Sequence, residues 1–211
     1  MTKKDKIATI KSRFLQNYKN AKSELVWRDN FELIVCVMLS AQCTDKRVNL
    51  ITPELFKAYP NAHKLATANL STIKTLINSC SFFNNKAQNL IKMAKAVVSE
   101  HGGEIPLQKD KLVALAGVGV KTANVVLLEA TGANVMAVDT HVFRVSHRLG
   151  LSSASTPEAT EKDLVKTFKT DLGKLHQAMV LFGRYTCKAL KPQCKECFLF
   201  DLCKSKDKVA I

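Results

Sequence analysis

The chain has 211 residues, 46% of them hydrophobic, and a formal net charge of +14 at neutral pH. That length allows one large or two small domains with a real core. No run of 18 apolar residues occurs, which excludes a membrane-spanning helix, and the charged N-terminus lacks a signal-peptide core, so the expectation is a soluble cytoplasmic protein. The charge suits a polyanionic partner.

The charge is uneven. Residues 1–30 carry eight Lys and Arg against three Asp and Glu, and residues 184–211 carry seven against three. If the termini pack together they form one basic lobe; a merely soluble lysine-rich surface is the plainer reading of the same numbers.

Ile7, Ile10, Phe14 and Tyr18 fall at helical spacing over residues 4–19. Residues 31–39 are apolar all round and read as a buried helix. Thr44 or Asp45 caps a helix running to about Tyr59, bent or restarted by Pro53. Shorter helices follow near 62–68 and 71–78. Residues 84–101 place Ala87, Leu90, Ile91, Ala94, Val97 and Val98 on one face, and Gly102 and Gly103 end that helix.

Residues 112–124, LVALAGVGVKTAN, read as helix, tight turn and helix, with Gly117-Val118-Gly119 as the turn. Glycine reaches positive φ without steric cost and admits a close backbone. A turn feeding a helix leaves N–H groups without partners, and those groups suit a phosphate. Gly117, Gly119 and the amides near Val120 are therefore candidates to grip a nucleic-acid backbone, although such turns are often purely structural. Lys121 opens the second helix, where the positive helix end disfavours its charge and lowers its pKa, the usual way a lysine becomes an amine nucleophile. Asp139 follows the apolar run Val135, Met136, Ala137, Val138 and caps a helix over 140–149. Lysine and carboxylate, each at a helix start, make a plausible nucleophile and partner. Taken singly they read as a surface lysine and an ordinary cap. Helices at 157–170, with Pro157 at the first position, and at 174–186 complete the chain. No alternating strand pattern of useful length occurs, so the fold class is all-α.

Seven cysteines are present. Cys36, Cys43 and Cys80 are scattered and read as free thiols. Cys187, Cys194, Cys197 and Cys203 are clustered, with six, two and five residues between them. Four thiolates on a short loop hold either tetrahedral zinc or an iron–sulfur cluster. Structural zinc usually shows two tight pairs, and only Cys194 and Cys197 form one here; the wider outer gaps leave room for a larger cubane. Lys188, Lys191 and Lys195 lie in the same segment and suggest a phosphate-contacting loop.

With LSAQCTD at 39–45, LAGVGVKTANVVL at 115–127, VDTHVFRV at 138–145 and the four-cysteine spacing, the chain closely resembles the endonuclease III family of helix-hairpin-helix DNA glycosylases over essentially its whole length. The resemblance implies two lobes with DNA in a cleft: a helical barrel over residues 23–133, and a second lobe joining residues 1–22 to 134–211. It implies Lys121 as nucleophile and Asp139 as catalytic carboxylate. Cys187, Cys194, Cys197 and Cys203 become ligands of a four-iron–four-sulfur (4Fe-4S) cluster. Gln42 and Phe82 become side chains that fill the gap left by an extruded nucleotide, and Lys188, Lys191 and Lys195 phosphate contacts.

The implied activity is that of a monomeric bifunctional glycosylase and abasic-site lyase. It acts on double-stranded DNA with oxidised pyrimidines or abasic sites, through a lysine Schiff base and β-elimination. The compact form is compatible with a bacterium, where DNA binding would hold the enzyme at the nucleoid. Four residues depart from the family pattern: Ala116 for a usual proline, Val120 for a usual basic residue, Ser81 for a common glycine and Phe82 for a smaller aliphatic. They bear on affinity and lesion range. A mismatch adenine glycosylase would lack the nucleophilic lysine and carry a further C-terminal domain. A non-catalytic binding or redox-sensing module would have no use for Lys121 and Asp139 together.

Overall fold

A computed structural model describes residues 1–209. Residues 210 and 211, the end of the expected second lobe, lie outside the described residues. Those described form α-helices and short turns, with no strand among them, as the sequence patterns require. The chain divides into two compact units: Ser23–Gly132, and Met1–Lys22 with Ala133–Ile211.

The first unit holds α2 (Asn30–Ser40), α3 (Asp45–Ala58), α4 (Ala62–Ala66), α5 (Leu70–Ile77), α6 (Phe83–His101), α7 (Lys109–Ala114) and α8 (Val120–Thr131). Residues 31–39 of α2 are all buried, Glu32 included, as the uninterrupted apolar run anticipates. Thr44 caps α3 by accepting the Arg47 N–H at 3.2 Å, and Pro53 lies inside that helix. α6 begins at Phe83, one residue before the expected start, because Phe82 stands in the left-handed region at φ 57° and sets the first turn. It ends at Gly102, φ 62°, where glycine takes the left-handed C-cap without strain. α6 lies beside α2, α4 and α5, and α8 beside α2 and α7.

The second unit contains α1 (Lys3–Asn17), α9 (Thr140–Leu149), α10 (Pro157–Phe168), α11 (Leu172–Tyr185) and two 3-10 turns, Cys194–Glu196 and Phe200–Leu202. Its core joins Ile10 and Phe14 of α1 to Val142, Val145, Leu164, Leu175, Met179 and Phe182, so residues from both ends of the chain share one apolar interior. Phe14, Phe182 and Phe198 meet edge to face at centroid distances of 5.1–5.6 Å. Each such pair adds roughly 0.5–1.5 kcal/mol beyond simple burial. Lys11 donates to the Thr170 carbonyl at 2.9 Å and pairs with Asp171 at 2.8 Å, and Arg13 pairs with Asp201. α10 stops at Phe168, two residues before the expected end, because Lys169 turns left-handed at φ 64°. α11 starts at Leu172, two residues early, after a left-handed Asp171.

Candidate functional site

In the first unit, α7 and α8 form the hairpin. Leu115 ends α7, and its carbonyl accepts the Val118 N–H at 3.1 Å, which closes the turn and uses that amide internally. Gly117 sits at φ +78°, and a Cβ there would stand 2.8 Å from Cβ of Asn89 on α6. The position demands glycine twice, for its dihedral and for the close approach. Gly119 differs from the expectation of a shared conformational role. It is the N-cap of α8 at φ −87°, with open space where a Cβ would go. Its contribution is access: no side chain caps α8, and the backbone at its start is uncovered. Val120 and Lys121 are both exposed in that first turn, so the amine and the uncapped amides share one end of one helix.

Gln42 and Phe82 belong to the same unit and are both exposed, Phe82 by 63%. Among the described residues five non-glycine residues have positive φ, and these are two of them, Gln42 at 54° and Phe82 at 57°. A non-glycine residue held there stores roughly 1–3 kcal/mol, which persists only where the surroundings insist on it. The insistence is visible. Lys86, in the first turn of α6, is buried and donates to the Leu39 and Ala41 carbonyls, each at 2.7 Å. It thereby satisfies the C-terminal carbonyls of α2 and pins the segment entering Gln42. Burial pushes the Lys86 amine below its usual range. The Cys43 and Cys80 sulfurs lie 3.3 Å apart and join the two segments again. Sequence reasoning missed Lys86, although the signal was present: residues 86, 90, 93 and 97 share the apolar face of α6.

In the second unit, Asp139 is the N-cap of α9, as the sequence anticipates, and its Oδ1 accepts the Val142 N–H at 2.8 Å. Met136, Ala137 and Val138 before it are buried, and the Ala137 carbonyl meets His176 Nδ1 at 2.8 Å. The aspartate thus rises from a rigid apolar strut. His141, two residues on, is half-buried, and burial lowers its pKa against the opposing pull of Asp139.

The opposite end of α9 holds the cysteine segment. Arg144 donates to the carbonyls of Cys187 at 3.0 Å and Gly183 at 2.7 Å. Arg148 donates to the carbonyls of Lys188 at 2.6 Å and Ala189 at 3.1 Å, and approaches the Cys187 sulfur at 3.4 Å. Spaced i, i+4, these arginines would pass in sequence for a solvated helix face, so nothing in the pattern pointed to them. Cys187, Cys194, Cys197 and Cys203 all line one partly open pocket, together with Arg148, Phe182 and Phe200. Burial pushes the Cys187 and Cys197 thiols up; around Cys197 the other three thiols push the same way, while Arg148 opposes the shift at Cys187. Among the described residues no three His, Cys, Asp or Glu side chains converge as they would on a single metal ion. The donor set is nonetheless all sulfur, lines one space and has a guanidinium beside it, which is the chemistry that soft metals and iron–sulfur groups take. Lys188, Lys191 and Lys195 are exposed on this segment, Lys191 in the left-handed region at φ 50°.

Residues 35–170 match the family described as HhH-GPD superfamily base excision DNA repair protein. The chain is 43% identical over 191 residues to endonuclease III of Rickettsia conorii, covering 90% of this chain and 91% of that one. Among solved structures it is similar to a non-covalent endonuclease III–DNA complex, with a TM-score of 0.92 and 41% identity over 97% of this chain and 96% of that one. It is equally similar, again at TM-score 0.92 and 41% identity over 97% of each chain, to a trapped endonuclease III–DNA covalent intermediate. The chain therefore belongs to the HhH-GPD superfamily of base excision DNA repair proteins, within its endonuclease III family. Among the described residues, no helix is long and apolar enough to cross a membrane.

Proposed function

We infer that this protein is a bifunctional DNA glycosylase and abasic-site lyase of base excision repair, and we propose that it acts as a monomer on double-stranded DNA bearing oxidised pyrimidines or abasic sites. The observation that carries the reading is Lys121 exposed at the uncapped start of α8, behind a turn that admits only glycine at position 117. A relative 41% identical over nearly the whole chain has been trapped as a covalent intermediate with DNA, which is what an amine nucleophile produces.

The damaged nucleotide must leave the stack before its sugar can be reached. Gln42 and Phe82 occupy the gap it leaves, held out by backbone that would otherwise relax. Lys121 attacks C1′ and the oxidised base departs. The role of Asp139 is to stabilise positive charge developing on the sugar. The Schiff base then permits β-elimination, which nicks the strand 3′ to the lesion. The open amides at Gly119 and Val120, with Lys188, Lys191 and Lys195, hold phosphates, contacts that position without specifying sequence.

Cys187, Cys194, Cys197 and Cys203 would hold a 4Fe-4S cluster, whose iron–sulfur bonds cross-link four points of the segment carrying the three lysines. A brown protein whose iron and sulfide content matches four of each supports this; stoichiometric zinc in its place overturns it.

Incubation with a duplex containing thymine glycol, followed by borohydride, should give a covalent protein–DNA adduct that is lost in Lys121→Ala. An adduct that persists in that variant moves the nucleophile elsewhere. Base release without any adduct reduces the protein to a simple glycosylase.

A further inference from the structure

Cys43 and Cys80 stand outside everything assigned so far. They come from different segments, one following α2 and the other following α5, yet their sulfurs are 3.3 Å apart. Cys43 is partly exposed and Cys80 is 3% exposed. Two sulfurs in contact need about 1.2 Å of further approach to reach a bond of ~2.05 Å. Cys36, by contrast, is fully buried, and its sulfur meets the Val26 carbonyl at 3.5 Å.

We propose that Cys43 and Cys80 form a reversible disulfide site. It is oxidised by exchange with a low-molecular-weight disulfide such as oxidised glutathione, and it locks the Gln42 segment to the Phe82 segment. Cys43 is the entry point because solvent reaches it. Its thiolate attacks one sulfur of the glutathione disulfide, forming a mixed disulfide, and the expelled glutathione thiolate takes up the proton that Cys43 released. Cys80 then gives up its proton and attacks the Cys43 sulfur. The intramolecular bond forms, the mixed bond breaks, and a second glutathione thiol leaves. Two protein thiols lose two electrons, and one glutathione disulfide becomes two thiols.

The surroundings suit a partner thiol that stays protonated until needed. Burial, together with the neighbouring Cys43, pushes the Cys80 thiol up, while the charges of Lys86 and Arg47 act against that shift. The same Lys86 holds the Ala41 carbonyl, so the dithiol and the left-handed Gln42 share an anchor. Phe82 is two residues beyond Cys80 and Gln42 one residue before Cys43. A covalent bond between the two segments therefore fixes the spacing of the two side chains held to enter the duplex. This consequence for DNA rests on the proposed roles of Gln42 and Phe82; the disulfide itself does not.

The test uses the purified full-length protein with its metal centre, equilibrated in glutathione redox buffers, trapped with N-ethylmaleimide and mapped by mass spectrometry. The expected result is a Cys43–Cys80 cross-linked peptide that dithiothreitol removes and that is absent from Cys43→Ser. In Cys80→Ser, glutathione should remain attached at Cys43. Recovery of both cysteines as separate maleimide adducts under oxidising buffer overturns the proposal. Circular dichroism checks that each variant is folded, and Cys43→Ser carries the result if the buried Cys80→Ser is not. Strand nicking at an abasic site should fall on oxidation, recover with dithiothreitol and be insensitive in Cys43→Ser. A cross-linked enzyme that nicks at the full rate overturns the locking role. Gln42→Ala and Phe82→Ala, assayed reduced, report separately on the reading of those two residues: their failure to slow the enzyme removes that reading and leaves the cross-link result standing.

Discussion

Asp139 has two roles that substitution can separate. Its side chain caps α9 through the Val142 N–H, and its charge is proposed to serve the sugar. Asparagine caps as well as aspartate, whereas alanine costs about 1 kcal/mol. Asp139→Asn should therefore melt with the parent in a thermal scan yet lose nicking, while Asp139→Ala should lose both; an active Asn variant would return Asp139 to a structural role. The hairpin glycines divide in the same way. Gly117→Ala forces a left-handed alanine against Asn89 and should destabilise the protein by about 1–2 kcal/mol in urea unfolding. Gly119→Ala meets no neighbour at φ −87° and should cost less, about 0.5–1 kcal/mol, because alanine is a poorer N-cap than glycine.

Two helices organise the candidate site, each within its own unit. α6 carries Phe82 at its threshold, Lys86 under the Gln42 segment and Asn89 against Gly117, so one rigid rod sets three positions across two turns. α9 carries Asp139 at its start and, through Arg144 and Arg148, the carbonyls of residues 183 and 187–189. Arg148→Ala leaves several carbonyls without their charged donor, at roughly 1.5–3 kcal/mol for each such bond. Its expected signature is faster bleaching of the proposed iron–sulfur centre by a chelator, followed by absorbance, with α9 still capped by Asp139 and the secondary structure unchanged. Bleaching at the parent rate would show that the cysteine segment holds itself.

At the scale of the whole molecule, the net charge of +14 and the phosphate contacts proposed for the exposed Lys188, Lys191 and Lys195 should set the electrostatic contribution to binding. Affinity for an abasic-site duplex should fall linearly in log salt, with a slope of about −0.9 for each phosphate neutralised. Changing the three lysines to alanine together should flatten that slope by up to about 3, read by fluorescence anisotropy. An unchanged slope would place the phosphate contacts on other cations.

Much of this was legible in the chain. Helix periods, the glycine turn, the cap at Asp139 and the four-cysteine spacing are local features, written within a few residues of one another, and local stereochemistry dictates them. The all-α architecture followed because no segment alternated. What local pattern could not supply was pairing over distance. That Lys86 would lie under Ala41, that Asn89 would close on Gly117, that Arg144 and Arg148 would hold a loop some forty residues away, and that two scattered thiols would meet at 3.3 Å depend on which helices pack together. A lysine or cysteine has the same sequence neighbours whether it faces solvent or a partner carbonyl. Only burial and long-range contact distinguish the two, and these come into existence with the tertiary fold.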